Sequence, residues 1–157
     1  MSLQWKKDDL PTLAEKKNSM VAETCQKLIY NGIDVELSTG TEHFSLTTHD
    51  QTNIDSMFTA VTLGATQYPY HSDGNQCVLY SAADIVTLYV AYKSFVTQQT
   101  TYCNFLKIWI GRETDRAVLA GIVYGSQLPD DLAAQMNEIL AQASAQIQAI
   151  IESMKQQ

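Results

Sequence analysis

The sequence predicts an α+β fold in which two β-hairpins pack against several helices, with an amphipathic helix at the C-terminal end. Three patterns carry this prediction. Residues 33–46 alternate apolar and polar side chains on either side of Thr39-Gly40, which is a half-buried hairpin written at the period of a strand. Residues 67–80 place aromatic and β-branched residues on either side of Asp73-Gly74, a dipeptide suited to turns that need positive φ. The stretches flanking both hairpins carry apolar residues three and four apart, the period of a helix with one buried face.

Residues 1–12 read as an N-terminal arm. Trp5 stands among Gln, Lys and Asp, and Leu10 precedes Pro11, which favours extended chain ahead of the first helix. Trp5 and Leu10 are the residues of this arm expected to hold a partner. Thr12 is the expected N-cap with Glu15 as its reciprocal partner, unless Pro11 itself opens the first turn. The helix that follows gathers Leu13, Met20, Thr24, Cys25 and Leu28 near one face, and Asn31-Gly32 closes it.

In the first hairpin Ile33, Val35 and Leu37 form the apolar face, against Asp34, Glu36 and Ser38 on the wet one. Phe44 and Leu46 return on the same apolar side, alternating with His43 and Ser45, and all five apolar residues are expected to face helices, since a hairpin alone is marginal. Thr48 with Gln51 then caps a second helix over about 50–63, burying Ile54, Met57, Phe58 and Val61 and stopped by Gly64.

Pro69 makes the first strand of the second hairpin an edge strand, or a short irregular one. Ser81 with Asp84 caps the longest helix, and Tyr80 against Ile85 forms a hydrophobic staple. That helix runs to about residue 110, with the run Thr97–Thr101 as a weak section where a bend is expected. A short helix over 113–124 ends at Gly125, which closes a compact domain of residues 13–126. The two hairpin–helix units, 33–63 and 67–110, echo each other loosely.

Residues 127–157 form the last element. Pro129 opens its helix, with Asp130 and Asp131 at the positive end of the helix dipole. Met136, Leu140, Ala143, Ile147, Ile150 and Met154 then alternate spacings of four and three, a two-position heptad seam. Leu140, Ile147 and Met154 share one core position, and Met136, Ala143 and Ile150 the other. The seam is expected to join copies of the chain in a homo-oligomer; the competing arrangement folds the helix back on its own domain.

A chain of 157 residues, 45% hydrophobic, fits one compact domain with a modest tail. Its net charge of −7 and ten scattered basic residues argue against a nucleic-acid partner, which needs clustered Lys and Arg. No apolar run approaches the roughly 20 residues that cross a bilayer, so no membrane partner is expected. The opening Met-Ser-Leu-Gln-Trp-Lys-Lys lacks the apolar stretch of a signal peptide, which leads to an expectation of cytoplasmic synthesis.

Four sets of residues are candidates for chemistry. His71 and Cys77 straddle the second turn, and Cys103 or Cys25 would have to join them to hold a metal, without the short paired spacing that zinc sites use. Cys103 is a candidate nucleophile if His49 or His71 approaches it, but its apolar helical face points to core packing, as for Cys25. Asp34, Glu36 and Glu42 are candidates for general acid–base work, against a reading as the solvated side of a strand. Tyr68, Tyr70 and Tyr80 offer an aromatic platform for a sugar, or simple packing with wet tips. With no glycine-rich phosphate loop, the expectation is a non-enzyme without cofactor or metal; a small hydrolase or metal-binding enzyme using His71, Cys77 and Cys103 is the distant alternative.

The segments Gly32-Ile-Asp-Val-Glu-Leu-Ser38, Glu42-His-Phe-Ser-Leu-Thr47, Asp50-Gln-Thr-Asn-Ile54, Tyr68-Pro-Tyr-His-Ser-Asp-Gly74 and Thr100-Thr-Tyr-Cys-Asn104 together resemble a domain of unknown function found in tail proteins of tailed bacteriophages and prophages. Trp5-Lys-Lys-Asp-Asp-Leu-Pro-Thr-Leu-Ala-Glu-Lys16 is similar to the lead into such domains, so the resemblance covers about residues 5–125. It implies a structural component of the tail, near the baseplate or fibre, that contacts other phage tail proteins, or else a tail-fibre assembly chaperone absent from the mature particle. The implied location is the virion tail, after synthesis in the bacterial host cytoplasm. Threefold symmetry is common among fibre-linked phage parts, so the resemblance favours a trimer for the C-terminal seam.

Overall fold

The computed structural model describes residues 8–157, so Trp5 lies outside the described residues. Asp9, not Thr12, starts the first helix: its carboxylate accepts the Thr12 N–H at 2.8 Å, and Pro11 sits in the first turn where no N–H is required. Helix α1 therefore runs Leu10–Asn31, and Leu10 belongs to it, packed against the core and no part of a free arm. The face it buries is Val21, Cys25 and Ile29. Met20 and Leu28, expected inside, are 39% and 40% exposed. The buried stripe is rotated by one residue, about 100°, from the expected one. Gly32 ends the helix at φ 82, with its N–H on the Ile29 carbonyl.

Strands β1 (Ile33–Leu37) and β2 (Gly40–Phe44) pair antiparallel with Ile33 opposite Phe44 and Leu37 opposite Gly40. The turn is thus Ser38-Thr39, one residue before the expected pair, and Gly40 opens β2. Val35, Leu37, Phe44 and Leu46 are buried and Ile33 is partly so, which places the apolar face on the helices as the alternation requires. Helix α2 (Thr48–Thr62) is capped by Thr47 with Asp50, in a reciprocal box one residue earlier than expected. It buries Ile54, Met57 and Phe58, with Val61 at the margin.

Strands β3 (Gln67–Tyr70) and β4 (Val78–Ser81) form the second antiparallel hairpin, with Pro69 opposite Leu79. Helix α3 (Ala82–Arg112) follows at once, its N-terminus closed by the Ser81 hydroxyl on the Asp84 N–H at 3.2 Å. Tyr80 and Ile85 are both buried at this end, as a staple demands. The helix is continuous through Thr97–Thr101, where the Thr100 hydroxyl bonds back to the Val96 and Thr97 carbonyls. At 31 residues it is the axis of the molecule, touching α1, α2, β1 and both strands of the second hairpin. Phe58 of α2 stacks on Tyr89, and the Tyr92 hydroxyl donates to Asp55.

The short helix is shorter than expected. Asp115 caps α4 (Arg116–Gly121) by accepting from the Ala117 and Val118 N–H groups, and the chain then leaves helix at Ile122, well before Gly125. Leu119, Ile122, Leu128 and Leu132 carry this segment into the core. Helix α5 (Asp130–Lys155) folds back on its own domain, the competing arrangement for the seam, and lies antiparallel along α3: Asp131 grips Arg112 through two bonds of 2.6 and 2.7 Å at one end, and Met154 borders a gap with Ala83 and Val86 at the other. No described helix is long and apolar enough to cross a membrane.

Candidate functional site

The two hairpins meet around one carboxylate. Directly opposed residues of an antiparallel pair share a face, and Glu42 stands opposite Val35, on the core side of the first hairpin. Asp34 opposite His43, and Glu36 opposite Thr41, lie on the other side. The three acids are therefore divided between two faces and do not form a catalytic set. Glu42 accepts hydrogen bonds from the hydroxyls of Thr39 at 2.7 Å, Ser72 at 2.8 Å and Tyr80 at 2.8 Å. Ser72 is fully buried and accepts in turn from Asn75 at 2.7 Å. One side chain thus ties the turn of the first hairpin to the loop and a strand of the second.

A second carboxylate completes the join. Asp84, 7% exposed in the first turn of α3, accepts the Ser38 N–H at 2.9 Å and the Ser38 hydroxyl at 2.5 Å. Both acids line a cleft of about 410 Å³, together with Val78 and Leu79 of β4. Burial works against charge on Glu42, and the hydroxyls of Thr39, Tyr80 and Ser72 outweigh it, holding the carboxyl below its ordinary value. Asp84 is governed the same way, with burial outweighed by Ser38 and Ser81. Both are anions at neutral pH and weak bases. The arrangement suits holding loops together, with both acids serving as hydrogen-bond acceptors.

On the outer face, His43 bridges three elements. Its Nδ1 lies 2.7 Å from Asp34 and its Nε2 lies 2.7 Å from the Asn31 carbonyl, with Asp73 at 3.8 Å. Asp73 also accepts the Ser45 N–H at 3.0 Å and the Ser45 hydroxyl, and returns its own N–H to the His43 carbonyl at 2.8 Å. The expected turn dipeptide Asp73-Gly74 is thereby also a latch onto the first hairpin.

The remaining candidates are dispersed. His71 and Cys77 are exposed on the second hairpin, whereas Cys25 and Cys103 are buried between α1 and α3. Among the described residues no three His, Cys, Asp or Glu side chains come together as metal ligands. His49 is exposed at the start of α2. The tyrosine platform is not formed: Tyr80 is buried, Tyr70 stacks on Phe44 with its hydroxyl pushed up to about 12 by burial, and only Tyr68 presents its ring to solvent. Along α5, Met136 packs against the core, and Leu140, Ala143 and Ile147 border a gap of about 180 Å³ opposite Ser94, Thr97 and Gln98 of α3. Met154 lies near the end of α2, and Ile150 is 41% exposed.

Sequence reading missed the junction at Glu42, Ser72 and Asp84. A signal existed for the first: counting back across the expected turn Thr39-Gly40 sets Glu42 opposite Leu37, and across the observed turn opposite Val35, so in either register it lies on the apolar face, where a lone acid needs partners. Nothing local identifies Ser72 or Ser38 as those partners.

A family model described as Domain of unknown function (DUF4376) matches residues 12–123. The matched stretch takes in α1 from its first turn, both hairpin–helix units and α4, and stops before α5. No curated protein matches the chain. No solved structure matches it either.

Proposed function

The chain belongs to the DUF4376 family of domains of unknown function, and we propose that it is a structural component of a phage or prophage tail, in the baseplate or fibre region, acting through protein–protein contacts. The tail setting rests on the resemblance of the hairpin and helix segments of residues 5–125 to tail-protein domains. The mode of action rests on α5. Its apolar stripe meets a polar stretch of α3 at Ser94, Thr97 and Gln98, leaving Leu140, Ala143 and Ile147 half-covered and Ile150 41% exposed. An apolar face so incompletely covered gains from a partner of the same kind, and a second and third copy of α5 supply one. In this reading the chain is a homotrimer in the virion tail, in contact with other tail proteins.

Sedimentation of the full chain against Ile150→Glu tests the mode of action. A trimer that falls to monomer in the variant is expected, and a monomeric parent chain ends the self-association reading. Mass spectrometry of purified particles tests the setting. Recovery of the chain at fixed stoichiometry supports a structural role, and its absence from particles that need it for fibre assembly transfers the reading to a chaperone.

A further inference from the structure

Cys25 and Cys103 face each other across the contact of α1 and α3, and their contacts are reciprocal. The Cys25 thiol lies 3.6 Å from the carbonyl oxygen of Gln99, one turn before Cys103. The Cys103 thiol lies 3.9 Å from that of Val21, one turn before Cys25. Each thiol thus reaches the turn behind the other, which on antiparallel helices sets the two sulfurs side by side. Burial pushes the Cys103 thiol up, the adjacent Cys25 thiol adds to this through its charge and a hydrogen bond, and Lys107 acts in the opposite direction. Both cysteines are free, and both line an open groove of about 260 Å³ with Lys107 at its edge. At 6% and 7% exposure they admit only a small reactant.

We propose that Cys25 and Cys103 are a disulfide-forming pair that staples α1 to α3, with a small hydroperoxide as the oxidant. One thiol gives up its proton and attacks a peroxide oxygen; the O–O bond breaks, and the departing oxygen leaves as water or alcohol with that proton. The sulfenic acid formed is attacked by the second sulfur, the S–O bond breaks, and water leaves with the second proton. Two thiols and one hydroperoxide give one disulfide, one water and one alcohol, or two waters when the oxidant is hydrogen peroxide. The two electrons lost by sulfur reduce the peroxide bond.

Hydrogen peroxide treatment of the full chain tests this, in the parent protein and in Cys77→Ser, which removes the exposed competing thiol. The expected result in Cys77→Ser is a loss of about 2 Da with no dimer on a non-reducing gel, reversed by dithiothreitol. A non-reducing peptide map of both proteins then joins the peptide of Cys25 to that of Cys103. A mass gain of about 32 or 48 Da per thiol without that crosslink, or two titratable thiols left in Cys77→Ser after treatment, overturns the proposal.

Discussion

Gly32 lies directly against the backbone of Phe44: a Cβ built on Gly32 would stand 1.9 Å from the Phe44 carbonyl oxygen and 2.7 Å from the Ser45 Cα. The contact is between backbones, so no side chain can rotate out of the way. Gly32 also holds φ at +82, a region that residues with a Cβ seldom adopt. Gly32→Ala is therefore expected to destabilise the fold by on the order of 3 kcal/mol or more. Urea unfolding measures it, and a midpoint equal to that of the parent chain would mean the hairpin shifts away from α1 without cost.

Phe44 fills the space between the two hairpins. It is 1% exposed, with its ring stacked on Tyr70 at 6.1 Å between centroids and edge-on to Tyr80 at 6.2 Å. Phe44→Ala is expected to cost about 3–5 kcal/mol, through lost burial and the cavity left behind. The same unfolding experiment checks it; a loss below about 1 kcal/mol would show that the two hairpins collapse onto each other freely.

His43 is expected to make stability depend on pH. An ionised carboxylate and a carbonyl can only accept, so bonds from both ring nitrogens to Asp34 and Asn31 require the imidazolium. The hydrogen bond to Asp34 is the largest cause raising its pKa, followed by the bond to the Asn31 carbonyl, and the charges of Asp34 and Asp73 act with them. A pKa raised in the folded state adds stability that is fully present below the unfolded value of about 6.5 and is lost as pH rises through the folded value. The urea midpoint should fall across that window in the parent chain and stay level in His43→Gln. Parallel profiles for the two proteins would remove His43 as the cause.

Glu42 titrates in the opposite sense. Its carboxyl is held below the ordinary value, so its contribution is present above the unfolded pKa and lost as pH falls through the folded one. Glu42→Ala leaves the Tyr80 and Ser72 hydroxyls without their acceptor, at a cost of about 1–3 kcal/mol. Glu42→Gln keeps an acceptor and should lose less. Equal losses in the two variants would assign the effect to packing and not to the hydrogen bonds.

The elements were legible where one residue type settles the local geometry. Asn31-Gly32, Asp73-Gly74, Ser81 with Asp84, and Pro129 all stand at the boundaries the sequence indicates. Caps are less legible: Asp9 and Thr47 close the helix ends where the sequence points to Thr12 and Thr48. Several side chains near each helix start are of capping type. The face of α1 is also less legible, with Val21 and Ile29 buried in place of Met20 and Leu28.

What the sequence by itself determined was the α+β class, both hairpins, the long helix and the apolar face Val35, Leu37, Phe44 and Leu46, because strand and helix periods and turn chemistry are written within a few residues of one another. What only the tertiary structure decided was which distant groups meet. Glu42 finds Ser72 and Tyr80, His43 finds Asp73, Cys25 finds Cys103, and Leu140 finds the polar side of α3. These pairings depend on how α3 aligns the two hairpins and α1 in space. A polar or thiol side chain carries no local mark of its partner, since the energy that joins them exists only once both are withdrawn from water.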